Sequence, residues 1–284
     1  MGRSHTGHHG SLRKPGIAAI VVALNEEDKI ADCLDSLSFV NDIIVVDSGS
    51  TDRTVEICKA KGARVFHNEW KGYIEQKNFA LGLADHEWTL SLDADERVSA
   101  ALRREIIEEM KNPKADGYKI PRLAYYINRW IYHCGWFPDR KLRLFRRNMG
   151  RWTGENPHDR VEVITGNTAV MKGIIYHLSF EDVAAHVRTL NDFSTIGAVE
   201  RLKKGKRSGV FSAAFRPFFT FTKMYILKMG FMDGIPGFIV SGLSAYHVFS
   251  KYWKVMEFLE NADSKALEAA EKDAARLKPE GPAE

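Results

Sequence analysis

Cysteine is scarce in this sequence and forms no recognisable binding pattern. The 284 residues include three cysteines, Cys33, Cys58 and Cys134, and no two of them are spaced as a CxxC pair. So few and such scattered thiols indicate neither a disulfide framework nor a thiolate zinc site. A reducing compartment therefore fits the chain best.

Two common phosphate-binding motifs are also missing. No GxGxxG follows the first apolar run, and neither GxxxxGKS nor GxxxxGKT occurs anywhere in the chain. The first motif serves dinucleotide-binding dehydrogenases and the second, with Ser or Thr at its end, serves P-loop NTPases, because glycine lets the backbone approach a phosphate closely. The sequence disfavours both of these enzyme classes.

The first fourteen residues lack the apolar core of a secretory signal peptide. They are rich instead in histidine and in cationic residues, namely His5, His8, His9, Arg3, Arg13 and Lys14. We interpret residues 1–14 as a flexible lead ahead of the folded domain.

Acidic residues are absent from one long stretch near the C-terminus. Between Arg201 and Lys228 there are eight lysines or arginines and no acid. The same stretch carries six aromatic residues, Phe211, Phe215, Phe218, Phe219, Phe221 and Tyr225. Such a basic and aromatic segment favours an anionic membrane surface. A nucleic acid is disfavoured as the partner, because the net charge is only +4 and no nucleic-acid-binding motif is present.

A long uninterrupted hydrophobic run is missing from this region as well. Arg216, Lys223 and Lys228 interrupt it too often for the run of about 20 apolar residues that a membrane-spanning helix needs. We therefore predict attachment to a membrane surface through residues 201–252. A second subunit is an alternative partner for the apolar stretch at 231–252, so that a homo-oligomer stays open.

The first part of the chain alternates apolar runs with helical patterns. The apolar runs stand at residues 17–24, 43–46, 65–67 and 88–92, and the residues between them have helical spacing. Strands that alternate with helices predict βαβ units and a mainly parallel sheet, and fully apolar strands fit burial on both faces. We predict an α/β domain at residues 15–180, with a Rossmann-like sheet flanked by helices.

The pattern changes after Pro121. Residues 140–147 alternate basic and apolar side chains as an edge strand does, and residues 152–159 are predicted to form a loop because they contain glycine and proline. Residues 161–164 and 169–176 are predicted to pair with each other as strands. From residue 181 onward the pattern is helical, which predicts a helical C-terminal region at 181–284.

Polar side chains stand at three of the predicted strand ends. Asn25, Asp47 and Asp93 each follow an apolar run. Ligands of open α/β sheets bind outside the carboxyl ends of the strands, so we expect these side chains to converge on one cleft. The loop at 47–52 has two interpretations: its serine and glycine backbone groups receive a phosphate or a base, or they only cap the next helix.

The acids after the fourth apolar run also have two interpretations. Asp93, Asp95 and Glu96 lie together, and carboxylate oxygens suit hard cations such as Mg²⁺, which proteins hold jointly with the phosphates of a substrate. The alternative is an acidic loop that precedes a helix beginning near Ser99, where acids are electrostatically favoured.

Three motifs give the sequence a specific resemblance. Val-Val-Ala-Leu-Asn-Glu-Glu at 21–27, Val-Val-Asp-Ser-Gly-Ser-Thr-Asp at 45–52 and Leu-Asp-Ala-Asp-Glu at 92–96 together resemble the family 2 glycosyltransferases. The segments at 177–180, 203–206 and 230–237 resemble the lipopolysaccharide core glucosyltransferase branch, often called WaaE-like. The resemblance implies a GT-A fold, a nucleotide-sugar donor, a divalent metal and inversion at the anomeric carbon.

The resemblance also implies roles for the residues of the donor site. Asn25 and Glu27 would lie near the nucleotide, and Asp47 would accept a hydrogen bond from the uracil ring. Asp93 would lie near the ribose or the metal, and Asp95 would be the direct metal ligand. Lys77 would meet the diphosphate as a point charge, with an ordinary surface lysine as the alternative.

The general base is expected from a different segment. His158-Asp159 resembles a His-Glu pair of this branch, so Asp159 is our candidate base and Glu155 is the second candidate. The alternative is that Asp159 only pairs with a neighbouring arginine. His177 would complete the metal shell or would hold the loop. The basic residues at 140–151 would bind a phosphate or would form a solvated strand face.

The leading hypothesis is an inverting, metal-dependent hexosyltransferase on the cytoplasmic face of a bacterial membrane. It would move a hexose, glucose by the resemblance, from a UDP-sugar to a lipopolysaccharide core or another lipid-linked glycan, with Mg²⁺ or Mn²⁺ as cofactor. One alternative is a sugar nucleotidyltransferase, but Asn25-Glu26-Glu27 stands where that class has a glycine-rich loop containing arginine. The other alternative is a membrane-bound scaffold without catalytic activity.

Overall fold

A computed structural model describes the chain at residues 14–155, 158–180, 182–206 and 208–260. The predicted N-terminal lead falls outside these ranges except for Lys14, and so do residues 261–284 of the predicted helical region. The side chains of Glu155 and His158 lie outside the description as well.

The first part of the structure alternates strands and helices in the predicted order. The strands are β1 (Lys14–Ala23), β2 (Asp42–Asp47), β3 (Arg64–His67), β4 (His86–Asp93) and β5 (Glu96–Val98). The helices are α1 (Ile30–Ser36), α2 (Thr54–Ala60), α3 (Tyr73–Leu83) and α4 (Ala100–Glu109). Helix α4 begins where the sequence predicts it, because the Ser99 hydroxyl accepts a hydrogen bond from the Leu102 amide at 3.1 Å as an N-cap.

Seven further strands and three long helices complete the described chain. The strands are β6 (Gly117–Tyr126), β7 (Arg129–Ile131), β8 (Asp139–Arg146), β9 (Gly150–Glu155), β10 (His158–Val163), β11 (Thr168–Val170) and β12 (Ile175–Leu178). The helices are α5 (Val183–Lys203), α6 (Val210–Thr222) and α7 (Gly234–Glu260), with a π-helical turn at Lys223–Leu227 and a 3₁₀ turn at Gly230–Asp233 between the last two.

The main sheet confirms the predicted α/β fold. Its strand order is β3-β2-β1-β4-β8-β6-β12-β5, and β3, β2, β1 and β4 run parallel to one another. Residues 18–21 at the centre of β1 are all buried, as expected of a parallel strand covered on both faces. The parallel strands therefore end at one edge of the sheet, where the loops after β1, β2 and β4 meet.

Strand β8 is a central strand, so the prediction of an edge strand at residues 140–147 was wrong. It pairs antiparallel with both β4 and β6. Arg140 is exposed at one end, whereas Arg143 is 4% exposed and lies on the same face as the buried Phe145. The buried arginine is tolerated because carboxylates surround it, which the spacing of basic residues alone does not reveal.

Two predictions about residues 152–176 were also wrong. Residues 150–155 and 158–163 form an antiparallel hairpin rather than a loop, with Val161 opposite Trp152. Trp152 is buried against Ala80, Leu81 and Phe145, and this burial outweighs the local preference of the glycine for a turn. The strand pair predicted from 161–164 and 169–176 does not form, because β11 and β12 each pair with β6 instead.

The C-terminal helices confirm the predicted helical character and pack on the sheet domain through an aromatic cluster. The Nδ1 atom of His186 on α5 lies 3.0 Å from the hydroxyl oxygen of Tyr126, and the Phe180 ring stacks on the His186 ring at 4.1 Å. Burial, aided by the nearby His247, lowers the pKa of His186 to about 4, so the imidazole in this aromatic cluster is neutral at neutral pH.

Among the described residues, no single helix has the length and apolar character needed to cross a membrane. The segments Val210–Leu227 and Gly230–Glu260 meet that requirement only as a pair, and the pair is bent by 69°.

Candidate functional site

Asn25 and Glu27, which the resemblance places near the nucleotide, connect the loops after β1 and β2 by hydrogen bonds. The Asn25 Oδ1 atom accepts from the Thr51 amide at 2.8 Å, and the Glu27 carboxylate accepts from the Arg53 amide at 3.0 Å. Asn25 has a φ of 52°, a left-handed conformation that asparagine tolerates better than most residues. Both side chains therefore connect the loop after β1 to the loop after β2.

Asp47 lies at the carboxyl end of β2 and organises the second loop. Its carboxylate is 4% exposed and accepts from the Gly49 amide at 2.9 Å and from the Ser50 amide at 3.1 Å. Gly49 has a φ of +102°, which a residue with a side chain rarely adopts. The loop is thus folded around Asp47, whose carboxylate accepts from the Gly49 and Ser50 amides, so these two amides neither cap α2 nor point to a ligand in this structure.

Lys77 connects two acids that come from distant parts of the chain. Its Nζ atom lies 3.0 Å from Asp93 Oδ1 and 2.9 Å from Asp159 Oδ2. The Lys77 side chain is only 7% exposed, so it is not the surface lysine of the alternative interpretation. The first acid of the Asp-Ala-Asp motif and the candidate base therefore meet on one ammonium group.

Arg143 is the second cation of the site, and the sequence did not single it out. One of its terminal nitrogens lies 2.6 Å from Asp93 Oδ2 and 2.7 Å from Glu96 Oε1. Glu96 is fully buried and also accepts from Arg122 at 3.1 Å. The signal that could have found Arg143 is the two-residue period of β8, which places it on the face of the buried Phe145.

The environment of Asp93 favours its ionised form. Burial by itself raises the pKa of this carboxyl, but Arg143 and then Lys77 outweigh burial and hold the pKa well below its usual value. Asp93 is therefore an anion shared between two fixed cations.

Asp95 points to a different partner from Asp93. Its Oδ2 atom lies 3.0 Å from the Nε2 atom of His177, and the Nδ1 atom of that ring lies 2.9 Å from the Ser179 hydroxyl. Burial raises the pKa of the Asp95 carboxyl, but the adjacent His177 ring outweighs burial and lowers it below the usual value. The backbone supports the pair, since the Leu178 amide donates to the Asp95 carbonyl at 3.0 Å.

The donor atoms of Asp95 and His177 fit a divalent cation with part of its coordination left open. A carboxylate and an imidazole held by a second hydrogen bond are common ligands of Mn²⁺ and related ions. The third predicted ligand, Asp93, pairs instead with Lys77 and Arg143. In the described part of the chain, no group of three or more Asp, Glu, His or Cys side chains is arranged to hold a metal. A cation held there would therefore have two protein ligands, Asp95 and His177, and its other ligands would come from elsewhere.

The remaining predicted residues are dispersed. The side chain of Glu155, the second candidate base, lies outside the described residues. The basic residues at 140–151 do not form one cationic face, because Arg143 turns inward and Arg146 pairs with Asp116 at 3.0 Å.

A cavity of about 470 Å³ lies between the sheet domain and the C-terminal helices. Tyr125 and Leu178, at the ends of β6 and β12, form part of its wall, and Leu178 directly follows His177 in the chain. Its other lining residues are Lys29, Ile127, Asn128, Phe180, Asp182, Val183 and Ile239. The cavity is therefore bounded by both the sheet domain and the C-terminal helices.

The Asp-Ala-Asp motif at the end of β4, the buried Lys77 and the Asp159 carboxylate thus lie together at the carboxyl ends of the parallel strands, as the resemblance to the glycosyltransferases implies. The family model described as Glycosyl transferase family 2 matches residues 18–171, which is more than half of the chain. The chain belongs to this family.

Similar proteins agree with this assignment. An uncharacterized glycosyltransferase of Rickettsia typhi is 31% identical over 260 residues, covering 85% of this chain and 87% of that protein. The lipopolysaccharide core biosynthesis glycosyltransferase LpsC of Rhizobium meliloti is 29% identical, covering 87% of this chain and 94% of that protein.

Two solved structures with a similar chain trace contain a uridine nucleotide. S. aureus TarS 1–349, solved with UDP-GlcNAc, has a TM-score of 0.46 and 15% identity, covering 84% of this chain and 91% of that one. Glucosyl-3-phosphoglycerate synthase of Mycobacterium tuberculosis, solved with Mn²⁺, UDP and glucosyl-3-phosphoglycerate, has a TM-score of 0.41 and 17% identity, covering 58% of this chain and 73% of that one.

Proposed function

We propose that this chain is an inverting, metal-dependent hexosyltransferase that uses a UDP-sugar as donor. The observation that carries the proposal is the meeting of Asp93 and Asp159 on Lys77, next to the pair of Asp95 and His177. Lys77, Asp95 and His177 suit a diphosphate and its cation, and Asp159 supplies a carboxylate from a separate hairpin. Direct displacement at an anomeric carbon needs both a stabilised leaving group and a base.

The roles of the residues follow from their positions. Asp95 and His177 would hold Mg²⁺ or Mn²⁺, and the bound cation would neutralise charge on the departing diphosphate. Lys77 supplies a second positive charge for that diphosphate. Asp159 takes the proton from the acceptor hydroxyl as its oxygen attacks the anomeric carbon and the bond to the diphosphate breaks.

The proposed acceptor is a lipopolysaccharide core or another lipid-linked glycan, and the proposed sugar is glucose. The similarity to LpsC of Rhizobium meliloti along most of both chains supports this class of acceptor. The cavity beside Leu178 has room for a sugar ring, and it is bounded by Tyr125 and Phe180, whose rings can pack against a sugar.

The C-terminal helices support a place for the enzyme at the inner surface of the bacterial cytoplasmic membrane. Helix α6 exposes four phenylalanines, with exposed fractions between 63% and 81%, namely Phe211, Phe215, Phe218 and Phe219. Their spacing puts them on one side of the helix, as in helices that lie in a membrane interface. Leu227 and Ile235 extend the exposed apolar surface beyond the helix. The neighbouring lysines and arginines complement anionic lipid headgroups.

Donor use tests the proposed function directly. We expect the purified protein to release UDP from at least one of a panel of UDP-sugars, and Mn²⁺ or Mg²⁺ to be required. Asp95→Asn removes one charged ligand, so the apparent Kd for Mn²⁺, followed by calorimetry with UDP present, is expected to rise by at least about tenfold. The matched control is Asp32→Asn, which changes an acid that is 68% exposed and pairs with Arg97.

The same assay distinguishes the alternatives. Release of pyrophosphate from a nucleoside triphosphate would favour a sugar nucleotidyltransferase, and the absence of binding and turnover with every donor would favour a scaffold. An unchanged Mn²⁺ affinity in Asp95→Asn would remove that residue from the metal site.

Binding to lipid vesicles tests the membrane surface. We expect the protein to sediment with vesicles that contain phosphatidylglycerol, and much less with pure phosphatidylcholine or at high salt. Each exposed phenylalanine that enters the interface contributes up to roughly 1.5–3 kcal/mol. Phe211→Ser combined with Phe218→Ser is therefore expected to weaken vesicle binding at least about tenfold.

The control for vesicle binding is Ile164→Ser combined with Val170→Ser. These two residues are 82% and 53% exposed on the sheet domain, away from α6. Equal losses in both double variants would contradict a specific role for α6. Self-association without vesicle binding would assign the apolar surface to a second copy of the chain.

A further inference from the structure

The hairpin that carries Asp159 is separate from the main sheet. Strands β9 and β10 form a two-stranded sheet of their own. Because no pairing with the main sheet fixes the hairpin, side chains that join it to the rest of the domain help to set the position of Asp159 relative to the strand ends.

Asn78 on α3 makes the most specific of these connections. Its Nδ2 atom donates to the Trp152 carbonyl at 2.9 Å, and its Oδ1 atom accepts from the Trp152 amide at 3.1 Å. A single side-chain amide thus satisfies both backbone groups of one β9 residue, as a neighbouring strand would. Trp152 stands opposite Val161, two residues from Asp159 on β10.

The two residues before Asn78 connect α3 to the other parts of the site. Gln76 is buried, and its amide donates to the Ser48 hydroxyl at 2.8 Å in the loop after β2. Lys77 binds Asp93 and Asp159, and its Nζ atom lies 4.5 Å from the centre of the Trp152 ring. Three consecutive residues of one helix therefore contact the loop after β2, the first acid of the Asp-Ala-Asp motif and the hairpin.

We propose that Asn78 is a positioning residue that fixes the Asp159 hairpin against α3 and so sets the distance between the base and the donor site. The inference rests on the proposed function, because it takes Asp159 as the base. Asn78 itself touches no reacting atom. It acts through the backbone of Trp152, and a displacement of about 1 Å at the base is enough to lower a rate by about 10²-fold.

Kinetics of Asn78→Ala test the inference. The probe is release of UDP from the UDP-sugar selected in the panel, with water as acceptor, so that the water oxygen attacks the anomeric carbon and Asp159 takes its proton. We expect kcat to fall by about 10–100-fold and the KM for the UDP-sugar to stay within about twofold, because the base moves while the donor site is retained. Asn112→Ala, an exposed asparagine just after α4, is the matched control and is expected to leave both parameters unchanged.

A double-variant comparison separates positioning from a general loss of structure. If Asn78 acts through Asp159, then adding Asn78→Ala to Asp159→Asn lowers kcat by less than about twofold further, because there is no longer a base to misplace. An equal loss in both backgrounds, a rise in KM that accounts for the change, or no loss in Asn78→Ala alone would overturn the inference. Failure of the proposed function is recognised separately, as an Asp159→Asn enzyme with normal kcat or a protein without donor turnover.

Discussion

Replacing Asp159 with asparagine is expected to lower kcat by about 10²–10⁴-fold, the usual contribution of a general base. The amide keeps the size of the side chain but cannot take a proton from the attacking hydroxyl. Lys77 keeps its other carboxylate partner, Asp93, so its buried charge stays paired in the variant. The Kd for the UDP-sugar, measured by calorimetry with Mn²⁺ present, is therefore expected to stay within about threefold of the wild-type value.

Glu162→Gln is the matched control for this prediction. It makes the same change from acid to amide on the same strand, but Glu162 is exposed and pairs with Arg160 at 2.7 Å. Its kcat is expected to stay within about twofold of wild type. A normal kcat in Asp159→Asn would exclude this residue as the base and would turn attention to Glu155.

The order of strands and helices could be predicted because burial leaves a simple pattern. The run at β1 is apolar throughout, since helices cover both faces of the parallel strands. The polar residues that follow β1, β2 and β4 could be placed at one edge by the geometry of parallel strands alone. These are local signals that a single sequence retains.

The hairpin of β9 and β10, which carries Asp159, could not be predicted, because it is stabilised by contacts with residues far away in the sequence. Gly154 and Pro157 favour a loop locally. The burial of Trp152 against Ala80 and Leu81 and the pairing of its backbone with Asn78 join segments that are more than 70 residues apart in the sequence. No periodicity within residues 150–163 records those contacts.

The burial of Lys77 could have been predicted from the helical spacing of α3. Lys77 precedes the buried Ala80 and Leu81 by three and four residues, so helical spacing puts it on the buried side of α3. A lysine on a buried side needs anionic partners, and Asp93 and Asp159 are those partners. The number of partners and the distance to each follow only from the tertiary structure.

Replacing Arg143 with methionine is expected to destabilise the fold more than any surface change. Arg143 is 4% exposed and lies between Asp93 and the fully buried Glu96. Methionine fills much of the same space, but it leaves Asp93 and Glu96 with Lys77 and Arg122, which also pair with Asp159 and Asp139, so two cations are left to balance four carboxylates. Removing one partner of a buried ion pair typically costs about 3–5 kcal/mol. We expect a loss of that size in urea unfolding and a fall in Tm of roughly 10 °C.

Arg140→Met is the control, because it removes an exposed arginine from the same strand. Its effect on the free energy of unfolding is expected to stay within about 0.5 kcal/mol. Equal stability of the two variants would show that Arg143 does not hold the buried acids in place.

The stability difference between wild type and Arg143→Met is expected to depend on pH, because Asp93 is one source of the instability. Arg143 is the main neighbour that lowers the pKa of Asp93 against the opposing effect of burial. A lowered pKa in the folded state adds stability above the pKa of an unfolded aspartate, which is about 4, and this contribution is lost as the pH falls through the folded-state value. Arg143→Met gives up that contribution. The difference in unfolding free energy between wild type and Arg143→Met is therefore expected to be largest near neutral pH and to shrink below about pH 4, whereas a constant difference would show that lost packing, and not charge, explains the instability.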